Sequence, residues 1–212
     1  MRRYGFILRL MLIVFLGIIT SGCLTMIYYS PSVVESGKIH LGYGARTAVS
    51  WKALDSSLFF RYGLPNEYDI GIECKTLFVF PTYITLSLRR QFSFQSDYTD
   101  AITIGGGFGY HLLLPGTVRM PDEMYAEMSF IKHPSAIRFG VGQFWKNVSF
   151  PDGDAHIHNA FFVQGINEIQ WNRFALMPYI YYEYVYDTED SGPDQYKEHL
   201  IGIGLSFYFE LL

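Results

Sequence analysis

Apolar residues recur at every second position through most of the chain. In the last segment, Ile201, Ile203 and Leu205 alternate with small or polar residues, and the alternation continues to Phe209. Side chains of a β-strand point alternately to its two faces, so a period of two predicts a strand with one apolar face. The same period appears upstream, for example in 39–46. The sequence therefore predicts an all-β protein.

The alternating segments form about ten candidate strands. They lie near residues 38–49, 56–64, 68–77, 82–92, 101–112, 124–131, 136–145, 159–166, 173–186 and 199–209. An even number is expected of an antiparallel barrel that closes on itself. Counts of eight to twelve stay open, because 91–100 is long for a turn and 76–81 is short for a loop.

The connections between these strands roughly alternate in length. Short, turn-rich connections are Gly63–Glu67, Lys132–Ser135 and Asn167–Asn172, and longer ones are Leu114–Glu123, Lys146–His158 and Asp187–Glu198. Short turns on one rim and longer loops on the other are typical of membrane barrels. The predicted fold is a single antiparallel up-and-down transmembrane β-barrel.

The polar face of the predicted strands is dominated by Gly, Ser, Thr and Tyr. The outer face of a soluble β-sandwich would carry many more charges. Glycine is costly in a strand, but it makes room on the crowded inner wall of a narrow barrel. We therefore expect the polar face to line the lumen, with a structural charge network formed by Glu73, Lys75, Arg89, Glu127, Arg138 and Glu183.

Aromatic residues cluster near the ends of the predicted strands. They are Trp51, Phe59, Phe60, Phe78, Phe80, Phe92, Phe94, Trp145, Phe150, Trp171 and the run Tyr179–Tyr186. Rings are favoured at the level of the lipid headgroups, so these residues predict two interfacial girdles.

The first 22 residues have the pattern of an export signal. Arg2, Arg3 and Arg9 precede the apolar stretch 10–19, and small residues follow it. The stretch is shorter than the roughly 20 apolar residues of a membrane-spanning helix. A charged start, an apolar centre and small residues at the end are typical of a signal peptide that is removed on export.

The end of this signal resembles the lipobox of bacterial lipoproteins. The matching run is Ile19-Thr-Ser-Gly-Cys23, although Thr20 stands where that family favours Leu. The resemblance implies that Cys23 becomes the lipid-modified N-terminus. The predicted organisation is a signal peptide at 1–22, a leader or linker at 23–37 and the barrel at 38–212.

Two further segments resemble small bacterial outer-membrane β-barrel proteins. Leu58–Glu73 has their hairpin pattern, in which an aromatic residue, Gly and Leu precede a turn, an acidic residue and an apolar-Gly-apolar run. Gly202–Phe209 is similar to their closing strand, although the chain ends in Glu210-Leu-Leu212. The resemblance implies an outer-membrane location, contact with membrane lipids and recognition by the barrel assembly machinery.

Charge excludes one class of partner. The chain has 16 Lys and Arg against 20 Asp and Glu, and loss of the three signal arginines leaves 13 against 20, a formal charge of −7. Such a balance disfavours binding to a phosphate backbone, so we expect no nucleic-acid partner.

The residues 152–158 offer the strongest candidate chemistry. Asp152, Asp154, His156 and His158 alternate and have metal-ligand side chains, but the same residues suit a surface loop. His156-Ile-His-Asn-Ala160 is similar to the His-x-Ser-Asn-Ala stretch of outer-membrane lipid deacylases, with His158 in place of the nucleophilic Ser. We expect no metal, no cofactor and no enzymatic activity.

The favoured function is that of an outer-membrane barrel with a structural or surface-binding role. A barrel of about ten strands is narrow, since roughly 16 strands give an open aqueous channel. Its lumen should be largely filled by side chains, and its long loops could contact a ligand outside the cell. A narrow solute channel, a soluble lipid-anchored periplasmic barrel or sandwich, and a lipid-modifying enzyme are the alternatives.

Overall fold

The computed structural model describes residues 27–48, 54–77, 80–94, 96–111, 123–147, 155–187 and 197–211. The secondary structure of these residues is entirely β. The strands are β1 (Ile39–Ala48), β2 (Leu54–Leu64), β3 (Tyr68–Leu77), β4 (Phe80–Ser93), β5 (Ala101–His111), β6 (Glu123–Lys132), β7 (Ser135–Asn147), β8 (Ala155–Asn167), β9 (Ile169–Trp171), β10 (Phe174–Asp187) and β11 (Lys197–Leu211).

The strands form one closed antiparallel sheet. Each long strand pairs with the next long strand in the chain, and β11 pairs with β1 from Ile39↔Leu211 to Ala48↔Gly202, which closes the sheet on itself. Ten strands build the wall, and the three-residue β9 pairs with the start of β10. The prediction of a single antiparallel barrel of about ten strands is confirmed. In the described part of the chain, no helix has the length and apolarity needed to cross a membrane.

The two rims of the barrel differ. The turn rim carries the start of β1, the end of β11 and the turns after β2, β4, β6 and β9. The other end, called the loop rim, carries the connections 49–53, 78–79, 112–122, 148–154 and 188–196, which lie outside the described residues. The segment 91–100 fits a turn because Gln91–Ser93 extend β4. The two longest connections, 112–122 and 188–196, both join strands at the loop rim.

Burial alternates along the strands as a barrel in lipid would require. In β6, every second residue from Glu123 to Ile131 is buried and the residues between them are exposed. Large apolar side chains cover the outside: Leu41, Leu58, Phe60, Ile70, Ile72, Leu86, Leu88, Ile104, Phe108, Met124, Met128, Phe130, Ile137, Val141, Phe161, Ile180, Ile201, Ile203, Leu205 and Phe209. The buried face of the strands carries most of the polar side chains.

Inward-facing glycines make room for large side chains of the neighbouring strand. A Cβ atom on Gly140 would lie 2.1 Å from Phe162 Cζ, and one on Gly204 would lie 2.1 Å from Tyr179 Cζ. The same relationship joins Gly42 to Phe59, Gly71 to Arg61, Gly105 to Arg89, Gly107 to Tyr125 and Gly202 to Tyr181. Glycine therefore recurs on this face because rings and guanidinium groups lie flat against it.

Some aromatic residues of the predicted girdles lie inside the barrel. Phe59, Tyr179 and Tyr181 point into the lumen, where each covers a glycine. Phe60, Phe92, Phe94 and Trp171 are exposed. Trp51, Phe78 and Phe150 lie outside the described residues, and so do the side chains of Phe80 and Trp145.

Candidate functional site in the barrel lumen

The N-terminal segment Ile27–Val34 lies inside the barrel and is called the plug here. Ile27, Tyr28, Tyr29, Ser30 and Val34 are all buried. The sequence predicted a leader or linker in this region, because the residues have no strand period and include Ser and Pro. Their burial depends on partners that lie far away in the sequence.

The plug enters the lumen from the turn rim. Gly37 N donates to Gly63 O at 2.9 Å, and Gly63 N donates to Lys38 O at 3.0 Å. A Cβ atom on Gly63 would lie 1.9 Å from the Glu35 carbonyl oxygen, so only glycine lets the chain pass this closely. At its other end, the ring of Tyr28 packs on Gly44, near the middle of β1. The plug therefore occupies the lower half of the lumen, next to the turn rim.

Tyr29 lies among three arginine side chains from three strands. The guanidinium carbon lies 4.0 Å from the ring centroid for Arg61, 4.5 Å for Arg89 and 5.2 Å for Arg138. These distances are in the range of cation–π contacts. The Tyr29 hydroxyl donates to Glu127 Oε1 at 2.7 Å. The site thus recognises both the face of the ring and its phenolic hydroxyl.

The backbone carbonyls of the plug are held by side chains of the wall. Arg89 donates to Ser30 O at 2.5 Å and to Ser32 O at 3.0 Å. Arg138 donates to Tyr29 O at 3.0 Å, and Gln164 Nε2 donates to Ile27 O at 3.1 Å. Fixed guanidinium groups suit this task because each presents several donors in one plane.

The arginines also have acidic partners in the wall itself. Asp69 forms ion pairs with both Arg61 and Arg89, and Arg89 Nε lies 3.0 Å from its Oδ1. Arg138 Nε lies 3.0 Å from Glu127 Oε2. Buried charges need such partners. Arg61, Arg89 and Arg138, called the cage here, are therefore paired within the barrel and do not depend on the plug.

An ion pair marks the point where the plug joins the barrel. Lys38 Nζ lies 2.7 Å from Glu35 Oε2 and 3.0 Å from Glu210 Oε1. The hydrogen bonds to Glu35 and then to Glu210 raise the pKa of Lys38 above its ordinary value. Lys38 stays charged and links Glu35, the residue that follows the plug, to Glu210 near the end of β11.

The upper lumen, towards the loop rim, is lined by a second set of charges. Lys75 Nζ lies 3.1 Å from Glu123 Oε2, and Arg46 NH1 lies 3.2 Å from Glu183 Oε2. Glu73 is buried on the same face, and its Oε1 atom has no hydrogen-bond partner among the described residues.

The structure places all six residues of the predicted charge network on the inward face. Glu73, Arg89, Glu127, Arg138 and Glu183 are buried and Lys75 is half-buried. They do not form one cluster. Arg138 pairs with Glu127, whereas Lys75, Arg89 and Glu183 pair with residues outside the predicted set.

Sequence reasoning missed four of these charged partners and the plug. Arg46, Arg61, Asp69 and Glu123 complete the ion pairs. Arg46 and Arg61 lie on the polar face of predicted strands, so strict use of the period would have included them. Asp69 stands just after a turn, where an acidic residue is common without any partner in a lumen.

The other candidate chemistry falls largely outside the described residues. This holds for Cys23, Asp152 and Asp154 and for the side chain of His156, whereas His158 is buried on the inward face of β8. No group of three or more His, Cys, Asp or Glu side chains with metal-binding geometry occurs among the residues that the structure describes.

Comparison with known proteins adds no family to this picture. No protein-family model matches the chain, and no curated protein shows significant similarity to it.

Proposed function

We propose that the chain is an exported barrel of a bacterial outer membrane, with a structural or surface-binding role and not a catalytic one. In this proposal, the signal peptide 1–22 is removed and Cys23 is acylated. The assembly machinery recognises the closing strand Gly202–Phe209, and the connections at the loop rim face the outside.

One observation carries the proposal: the barrel is closed and its outer surface is apolar. Ile203 and Leu205 of β11 are 60% and 48% exposed, and similar side chains cover the other strands. Soluble proteins rarely expose continuous apolar surfaces of this extent. Acyl chains are a suitable partner, because closure of the sheet leaves no unpaired strand edge in the hydrocarbon.

Lipid contact can be tested with spin labels at matched positions. Ile203→Cys and Leu205→Cys face outward, and Ser206→Cys faces inward as the control. The background is Cys74→Ser, since Cys74 is a free thiol. In reconstituted vesicles, we expect labels at Ile203 and Leu205 to be broadened by oxygen dissolved in the lipid. Broadening of these two labels by a water-soluble nickel complex would contradict the proposal.

The acyl anchor is tested separately. Cys23→Ser should abolish incorporation of labelled fatty acid, while the barrel stays in the membrane fraction and keeps a heat-modifiable mobility on gels. A soluble lipoprotein would instead be released into buffer by this substitution when a cleavable signal is retained. Fatty acid on the Cys23→Ser protein would refute acylation at this position.

A narrow solute channel is the second candidate function. The observation in its favour is that a non-strand segment, and not the wall alone, fills the lower lumen. A lumen that has room for a peptide segment has room for small solutes when that segment is elsewhere.

A further inference from the structure

We propose that the lower lumen is a binding site for a peptide segment with a tyrosine, that the plug is its resident ligand, and that release of the plug opens the barrel. The peptide site is supported by the set of contacts between the plug and the wall. The proposal that the barrel opens extends the solute-channel function given above, and it rests on the barrel lying in a membrane.

The plug contacts the wall as a bound peptide would, and it is not one of the strands of the wall. None of the residues 27–34 belongs to a strand, and the β1–β11 and β1–β2 pairings close the barrel without them. Apart from a hydrogen bond from Ser32 N to Ser30 Oγ within the plug, its described hydrogen bonds are made with wall side chains. Val34 N, for example, donates to Asp69 Oδ2 at 3.0 Å, and Val33 N donates to Gln91 Oε1 at 3.1 Å. Such contacts can break without opening a β-ladder.

The arginines of the wall keep polar partners when the plug is absent. Arg61 keeps Asp69 and Ser87 as partners, and its NH1 donates to Ser87 Oγ at 2.8 Å. Arg138 keeps Glu127 and also donates from Nε to Ser129 Oγ at 3.2 Å. Removal of the plug therefore leaves no arginine of the cage without a partner, so water can replace the peptide.

The site is specific for a tyrosine at one position. The ring of Tyr29 contacts three guanidinium groups, and its hydroxyl also lies 2.9 Å from that of Tyr125. Aromatic anchors in desolvated pockets carry much of the energy of an interface. The carbonyls around Tyr29 accept hydrogen bonds that any peptide could make, so they hold the backbone without selecting the sequence.

The structure also offers a place to cut the plug free after the protein has folded. Glu35, Ser36 and Gly37 are exposed at the turn rim, between the buried plug and β1. A protease site inserted after Ser36 lets the full chain fold with its plug in place. Cleavage then converts the tethered ligand into a free peptide. A site inserted after Asp97, in the exposed turn 96–100 of the same rim, is the matched control. Both cleavable proteins carry Cys23→Ser, which removes the proposed acyl anchor.

The first experiment measures binding in detergent. After cleavage and washing, mass spectrometry should show loss of the N-terminal peptide. The emptied barrel, still compact by gel mobility, should bind synthetic peptide 27–36 at least about tenfold more tightly than the Tyr29→Ala peptide. Failure to bind peptide 27–36, or equal binding of a scrambled peptide, would overturn the peptide site. Retention of the cut peptide through dilution would overturn the release of the plug.

The second experiment measures conductance in planar bilayers. The barrel cut after Ser36 should conduct steadily, synthetic peptide 27–36 should close it, and the protein cut after Asp97 should stay closed. Equal conductance of the two cut proteins would overturn the opening. If peptide binds in detergent but labels at Ile203 report water, the membrane location fails and the peptide site stands. If the labels report lipid and no peptide binds, the peptide site fails and the membrane location stands.

Discussion

The hydroxyl of Tyr29 donates a 2.7 Å hydrogen bond to Oε1 of Glu127, a residue 98 positions further along the chain. Glu127 in turn pairs with Arg138, whose NH2 donates to the carbonyl of Tyr29. The plug and the wall of β6 and β7 therefore share one closed set of polar contacts. This set ties the stability of the barrel to the occupancy of its lumen.

Tyr29→Phe tests the phenolic part of this set. The ring stays among the guanidinium groups, while Glu127 loses one donor but keeps Arg138. A hydrogen bond to a charged group contributes about 1.5–3 kcal/mol, so we expect a loss of about 1–2 kcal/mol in the free energy of unfolding. Urea unfolding in lipid vesicles measures it. Tyr98→Phe, at a residue 91% exposed, is the control and should leave stability unchanged. An unchanged urea midpoint for Tyr29→Phe would show that this hydrogen bond contributes no net stability.

Asp69→Asn tests the carboxylate that forms ion pairs with two arginines. Its side chain is fully buried and pairs with Arg61 and Arg89. Removal of one member of a buried ion pair costs about 3–5 kcal/mol, because the remaining charge has lost its partner. We expect a loss of this size in urea unfolding, and little change for Asp97→Asn in the exposed turn.

A double variant separates the cost of the lost ion pair from other effects of the Asp69→Asn substitution on stability. Arg61→Gln in the Asp69→Asn background removes one of the two unpaired charges. The double variant should therefore be less destabilised than the sum of the two single variants. Strictly additive losses would mean that Asp69 and Arg61 do not stabilise each other.

The strands of this barrel could be predicted because each one shows the alternation of apolar and polar residues within its own segment. Ile203 and Leu205 alternate with glycines within a single segment, so no distant residue is needed to recognise a strand or its apolar face. The inward direction of charges such as Glu127 and Arg138 follows from the same period. Their partners do not, because register between strands depends on the whole sheet.

The plug shows what local patterns miss. Ile27–Val34 has no period and contains Ser and Pro, so it has the composition of a linker. Its burial is caused by Arg61, Arg89 and Arg138, which stand on three different strands. The clustering of rings near strand ends likewise predicts a lipid interface for Tyr179 and Tyr181. The glycines that they cover lie on β11, more than 20 positions away, so no local pattern shows the contact.

The turn rim provides a pH-dependent contact away from the apolar outer face of the strands. Lys132 Nζ lies 2.9 Å from Asp100 Oδ1, and His133 N donates to Asp100 Oδ2 at 3.0 Å. The hydrogen bond from Lys132, followed by that from His133, lowers the pKa of Asp100 below its ordinary value. A carboxyl whose pKa is lowered on folding adds stability above its unfolded pKa, about 3.9, and this contribution is lost as pH falls through the folded value.

The amide proton of His133 reports this titration directly. In micelles, its NMR chemical shift should change with a midpoint below about 3.9, the ordinary pKa of Asp. Lys132→Ala should move the midpoint upward, because it removes the largest cause of the shift. A midpoint at or above the ordinary value in the unmodified protein would contradict the contact.

Two glycines on neighbouring strands give the sharpest test of which face is inside. Gly140 of β7 faces the lumen, and a Cβ atom there would lie 2.1 Å from Phe162 Cζ. Gly165 of β8 faces outward, and a Cβ atom there would meet Ile180 at 3.4 Å, an ordinary contact. Overpacking a tight interior costs about 1–3 kcal/mol, so Gly140→Ala should destabilise the barrel by this amount. Alanine is favoured over glycine in a strand by about 0.5–1 kcal/mol, so Gly165→Ala should be neutral or slightly stabilising. Urea unfolding of both variants in the same vesicles measures the difference. Equal destabilisation by the two substitutions, or a larger loss for Gly165→Ala, would mean that β7 and β8 do not present these faces to the lumen and to the outside of the barrel.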